Sequence, residues 1–305
     1  KGIETQRKVV KEERRQRYDN QPYGTLVEES MKRAFTDHPY RWTTIGSMEH
    51  LDAAGDADYK QFYDTYYVPD NAVLTIAGDF DPATCKAWVE KYFGTIPRGT
   101  APRNIPPPYD KPLVHEIRDT VYDDVQLPAV IQLYRIPAYG SKEFYTIKLL
   151  SDILSSGASS RLSTKLVDEK EIAAYVGSFP FQLEHPGVYL QFAIATIGVS
   201  ADSLENEMNG IVEQLREELI TQEEYDKLQN ITEYEMLDRR TKLLNIAEDL
   251  ATNYTYLNNT AHVNEEINIY KSISRADIRE AARNYLSKSN RVTLYWLPKN
   301  QAVHQ

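Results

Sequence analysis

The chain has 305 residues, a formal net charge of −10 and a pI near 5.2, so nucleic acid and anionic membrane surfaces are excluded as main partners. No apolar run approaches the length of a membrane span, and the single cysteine, Cys85, excludes an intrachain disulfide or a cysteine metal cluster. One cysteine is compatible with the periplasm and with the cytoplasm alike, and composition does not choose between them.

The first predicted element is a highly charged helix over residues 1–17, with Val9 and Val10 as its main apolar anchors. A chain that opens inside such a helix reads as a piece of a longer polypeptide. Asp19-Asn20-Gln21-Pro22 breaks the helix, and a second one is expected over 25–34. A short helix at 48–53 follows, then one at 56–67 carrying Tyr59, Phe62, Tyr63 and Tyr66 at helical spacing, read as a core-facing stripe. Pro69, Asp70 and Asn71 stop it, because proline lacks an N–H and Asp and Asn favour turns. Residues 72–77 form a short apolar run rich in β-branched side chains between turn signals, which predicts a buried strand. Asp81 caps the next helix with Pro82 in its first turn, and Gly94 and Pro97 end it.

Residues 98–112 are dense in proline and read as a semi-rigid linker between a first domain, 1–97, and a second, 113–305. In the second domain, strands are expected at 113–121 and 127–134, then a helix at 142–154 and another at 161–168. Strands at 172–181 and 188–197 flank a His185-Pro186-Gly187 turn. Helices over 202–218, from 222 to about 256 and over 275–286 precede a closing strand at 291–297. An internal echo links the halves. Asp58, Tyr66, Asn71 and Val73 recur at constant offset as Asp277, Tyr285, Asn290 and Val292, each set spanning helix, turn and strand. The fold class expected is α+β: two related domains, each a mostly antiparallel sheet packed with helices.

Chemistry is sparse on residue types alone. No two of the six histidines lie three or four positions apart, so no local motif holds a metal through two imidazoles. Glu12 and Glu13 sit in a charge run, whose ordinary reading is a solvated helix face.

Pro69-Asp70-Asn71, the apolar run, Gly78-Asp79-Phe80-Asp81 and a helix ending in Tyr92-Phe93-Gly94 with Ile96-Pro97 together resemble the pitrilysin/insulinase metallopeptidases. The likeness is greatest to their processing-peptidase-like bacterial members and extends over most of the chain. In that family an inverted H-x-x-E-H helix supplies two histidine ligands and the general base, and a later helix supplies a third ligand, a glutamate. Val9-Val10-Lys11-Glu12-Glu13 resembles the later helix, which implies Glu13 as the Zn²⁺ ligand, with Glu12 as the alternative. Gln6 stands where relatives often carry a supporting glutamate, and H-x-x-E-H is not in this sequence. The catalytic motif is therefore expected upstream, and this chain alone is expected to be inactive. Tyr175 matches a substrate-contacting tyrosine of the family, whereas Val167 or Asp168 stands where an arginine is expected.

The resemblance implies half of a clamshell that encloses unfolded peptides, with the other half from an identical or related subunit. The runner-up reading is a non-catalytic relative that binds peptides or scaffolds a partner.

Overall fold

In the computed structural model, residues 2–100, 102 and 107–299 are described; Ala101 and residues 103–106 of the proline-rich run, and His304, lie outside them. The elements in chain order are α1 (Gly2–Arg14), α2 (Leu26–Ala34), α3 (Met48–Ala53), α4 (Asp56–Tyr66) and α5 (Pro82–Phe93), then β1 (Ile117–Asp123), β2 (Ala129–Ile136), α6 (Lys142–Ser155), β3 (Ala173–Pro180) and β4 (Gly187–Ala195). The chain continues with α7 (Ala201–Glu217), α8 (Gln222–Arg240), α9 (Leu243–Leu257), α10 (His262–Ser272), α11 (Arg275–Tyr285) and β5 (Arg291–Pro298). Contacts group the chain into two units that interleave in sequence. One comprises Lys1–Lys11, Gly46–Pro106 and Glu233–Ile267; the other comprises Glu12–Ile45, Pro107–Thr232 and Asn268–Gln305.

The larger unit is built on a five-stranded sheet of order β1-β5-β2-β4-β3, in which β1 and β5 run parallel and the other pairings are antiparallel. Alternation along β2 sends Ala129, Ile131 and Leu133 to one face, where Leu190 of β4 and Val292, Leu294 and Trp296 of β5 join them. The helix α2 covers this face with Met31, Ala34 and Phe35, and the cluster is the unit's core on that side. On the opposite face α7 and α11 lie against β2 and α6 lies against β3. The sheet is thus sandwiched between helices, as an α+β fold requires.

The loop after α2 is held by one carboxylate. Asp110 accepts from the Thr36 hydroxyl (2.6 Å) and from the N–H groups of Thr36 (2.7 Å), Asp37 (3.1 Å) and His38 (2.7 Å). Burial pushes this carboxyl up, but the four hydrogen bonds outweigh burial and bring it down to about 2. Asp110→Ala strands those donors in a buried setting and is expected to cost about 3 kcal/mol in urea unfolding, with Asp110→Asn intermediate because it keeps one acceptor oxygen.

The smaller unit differs from expectation. Residues 72–77 are extended but pair with no strand among the described residues, and Val73, Leu74 and Ile76 are 43%, 58% and 44% exposed. The stripe on α4 also faces outward: Phe62, Tyr63 and Tyr66 are exposed and pack on one another and on Tyr67. Val9 of α1 is exposed as well. No hydrophobic residue described in this unit is buried. The physical reason is that no strand among the described residues pairs with this run, since an apolar strand is buried only when a sheet and its covering helices close around it.

The internal echo is present in hydrogen-bonding detail. Asp58 accepts the Gly55 N–H at 2.8 Å and Asp277 accepts the Ser274 N–H at 2.8 Å, at the starts of α4 and α11. Asn71 donates to the Tyr66 carbonyl at 3.0 Å, and Asn290 to the Tyr285 carbonyl at 2.8 Å, each across a 3₁₀ turn. After this turn one copy continues as β5, buried between β1 and β2, and the other as the unpaired residues 72–77.

Candidate functional site

The candidate metal ligands lie on α1, whose two ends are tied down separately. Arg7 donates to the carbonyls of Leu51, Asp52 (3.2 Å) and Ala54 (2.6 Å) at the end of α3, where a cation is favoured by the helix dipole. Lys11 adds an ion pair with Asp52 at 2.6 Å. Further along, buried Arg14 pairs with Glu28 (3.1 Å) and Asp19 (3.3 Å). Directly after Arg14 the helix widens into a π-helical turn, Arg15–Asp19, a distortion frequent beside functional sites.

Between these anchors, Glu13 is half-buried and pairs with Arg17 at 3.1 Å. Glu12 is exposed and accepts from Arg15 (3.2 Å) and Gln16 (3.2 Å). Such a solvent-facing pair contributes at most about 1 kcal/mol, so a divalent cation can displace Arg17 from Glu13. Gln6 is exposed. A carboxylate is a suitable Zn²⁺ donor, but one donor is not a site: no group of three or more His, Cys, Asp or Glu able to hold a metal ion occurs among the described residues. Among the described residues, Glu13 or Glu12 could therefore supply one carboxylate donor to a metal and no more.

Tyr175 lies on β3, the edge strand opposite β1, next to a register irregularity between Ala173 and Tyr175. Its ring is 59% exposed and tilts against Phe192 of β4 with centroids 5.7 Å apart. The outer edge of β3 is open among the described residues, which leaves backbone donors and acceptors available to an added strand. Val167 and Asp168 belong to a second π-helical turn, Ser163–Glu169, just before β3; Val167 is half-buried and Asp168 exposed. No arginine stands at either position. Among the described residues, no hydrogen bond, ion pair or ring contact joins Glu12 or Glu13 to Tyr175.

One charged cluster escaped sequence reasoning. Arg291 of β5 is 3% exposed, bonds Glu116 at 2.8 Å through Nε, Asn209 at 2.6 Å and Glu205 at 3.3 Å. Glu205 of α7 also receives both arms of Arg118 (2.8 and 2.6 Å) and the Tyr295 hydroxyl (2.5 Å). Burial raises the Glu205 carboxyl, but these donors outweigh it and bring it down to about 2. Both oxygens of Glu205 are engaged, so the cluster ties α7 to the sheet. A signal did exist: Glu205 interrupts the inward stripe Leu204, Met208, Ile211 and Leu215 of α7.

Comparisons place these features among known proteins. The family model described as "Peptidase M16 inactive domain" matches residues 56–232. The chain is 30% identical over 296 residues to a protein named zinc protease PqqE of Helicobacter pylori, covering 96% of this chain and 66% of that relative. The chain thus spans just under two thirds of that relative's length. Among solved structures, a protease from Helicobacter pylori superposes with a TM-score of 0.90 at 29% identity, over 97% of this chain and 72% of that one. A peptidase M16 inactive domain from Pseudomonas fluorescens superposes with a TM-score of 0.82 at 17% identity, over 97% of this chain and 70% of that one, a likeness of fold.

Proposed function

This chain belongs to the peptidase M16 family, and we propose that it is the carboxy-terminal portion of a zinc-dependent metalloendopeptidase subunit acting on unfolded peptides. The observation that carries the reading is the echo between the two units. Residues 55–71 reproduce the helix-and-turn bonding of 274–290, yet the apolar run that follows pairs with no strand among the described residues. An upstream segment that supplies the neighbouring strands, and with them an H-x-x-E-H helix, would bury Val73, Leu74 and Ile76 and complete the ligand set around Glu13. The share of the named zinc protease that this chain spans supports the same reading. So does the echo support two related domains meeting at the proline-rich run 98–112.

In that assembly Glu13 would hold the ion, with Glu12 the alternative, and Arg17 would yield its place. The metal, when bound, would polarise the scissile carbonyl and lower the pKa of its water. The open edge of β3 gives a peptide main-chain partners, and Tyr175 gives it an exposed ring to lie against. The second half of the enclosure would come from an identical or related subunit.

A second reading, a non-catalytic partner that binds peptides, is favoured by Gln6 and by the lack of arginine at 167 or 168. This 305-residue chain by itself, assayed on an unfolded peptide with Zn²⁺ added, is expected to show no turnover above background. Clear, chelator-sensitive turnover would contradict the assignment of the missing ligands to an upstream segment.

A further inference from the structure

Arg135 holds a place in β2 that the strand's pattern assigns to an apolar residue. Ala129, Ile131 and Leu133 point into the core under α2, and the next position on that face is this arginine. Its guanidinium lies 4.2 Å from the centroid of the buried Phe35 ring and donates to the Ala34 carbonyl at 2.9 Å. The Nε–H is buried and has no hydrogen-bond partner, and among the described residues Asp110 acts on Arg135 only through its charge, without an ion-pair contact. Asp110 is the acid that faces it, but that carboxylate is already taken by the four donors of the Thr36–His38 loop. Arg135 as a whole is half-buried, and burial lowers its pKa because a partly desolvated guanidinium without an ion-pair partner is disfavoured.

The same arginine lines a cavity of about 400 Å³. Its lining includes Leu113, Pro137 and Pro186 together with Asn284, Ser287 and Ser289. The two serine hydroxyls bond each other at 3.1 Å and either can turn to donate to a guest. One unpaired cation facing a wall that also carries Asp110 suits a monoanion, whereas a phosphate dianion asks for more positive charge. Apolar walls beside that cation suit a side chain attached to the anion, and the volume lies in the range of small-ligand sites.

We propose that this cavity seats the C-terminal carboxylate of a peptide, with Arg135 countering the charge, Ser287 or Ser289 donating to it, and the leucine and proline walls taking the last side chain. The site uses no metal and stands apart from the zinc reading, so either can fail without the other.

Calorimetric titration of the chain with N-acetyl-alanyl-leucine and with its C-terminal amide tests this. The acid is expected to bind saturably and the amide about tenfold more weakly or worse, since the charge-assisted bond is lost. Arg135→Gln is expected to abolish the distinction, and the comparison on the unmodified chain stands even if that variant folds poorly. Equal binding of acid and amide, or no saturable binding of the acid, would overturn the proposal. Tighter binding of inorganic phosphate, or of hexanoate without a peptide bond, would overturn the assignment to a peptide terminus.

Discussion

Arg291→Met is expected to destabilise the sheet-containing unit by about 3–5 kcal/mol, because it leaves buried Glu205 and half-buried Glu116 with part of their counter-charge gone. The methionine fills much of the volume, so the loss comes from electrostatics and not from a cavity. Arg118 still serves Glu205 with two bonds, and Glu116 still accepts from Thr293 at 2.7 Å, which sets the upper end of the range. Adding Glu205→Gln to Arg291→Met should recover part of the loss, since the pair is coupled. A urea midpoint in the single variant close to that of the unmodified chain would show that the cluster contributes little.

The same cluster, together with Asp110 on the loop after α2, sets the acid limb of stability. Asp110 and Glu205 are each brought down to about 2, and Glu116 is lowered by Thr293 and Arg291 against burial. The unfolded chain takes up protons near the ordinary carboxyl values while the native state does not. Stability from these groups is therefore full above about pH 5 and is lost as pH falls toward 2. Buried His38 adds a second loss in the same direction: burial first, then neighbouring His185, lowers its pKa, so the unfolded state binds the proton first below about pH 6.5. Arg291→Met should shrink the carboxylate part of this acid limb.

What the chain's letters reveal depends on how local the cause is. Asp81 and Pro82 announce the start of α5, and Asp81 does accept the Thr84 N–H at 2.8 Å. Strands β2, β4 and β5 are legible because alternating or continuous apolar residues record burial on the sheet. The first strand of the sheet begins at Ile117 and not at Leu113, because Val114 is exposed and no strand among the described residues pairs with residues 113–116. Residues 72–77 carry the same apolar record without the neighbours that would satisfy it, so composition reported a burial that these residues alone do not achieve. The Glu116–Glu205–Arg291 cluster was illegible for the opposite reason. Its members are scattered along the chain and meet only when β5 enters the sheet between β1 and β2. Likewise, Arg7 reaches the carbonyls that end α3 through a contact no local pattern announces.

For the candidate site, resemblance pointed to positions on α1 and β3 that the fold then describes. Glu13 is neither deeply buried nor free: it is half-buried, in the helical turn before a π-helical distortion, and engaged by an exposed arginine. If Glu13 is the ligand proposed above, this is a tolerable resting state for it, since an exposed ion pair is weak enough for a metal ion to displace. Tyr175 is displayed on an open strand edge, where an added peptide strand would meet it.

The most direct measurement is zinc content, by atomic absorption, of the longer polypeptide that includes the segment upstream of this chain, compared with its Glu13→Gln variant. One equivalent of zinc in the parent and a loss of most of it in the variant is the expected result, with peptidase activity falling on the order of a hundredfold or more, since even the partners of metal ligands cost that much. Full zinc occupancy in the Glu13→Gln protein, or a parent that binds no zinc at all, would contradict the account.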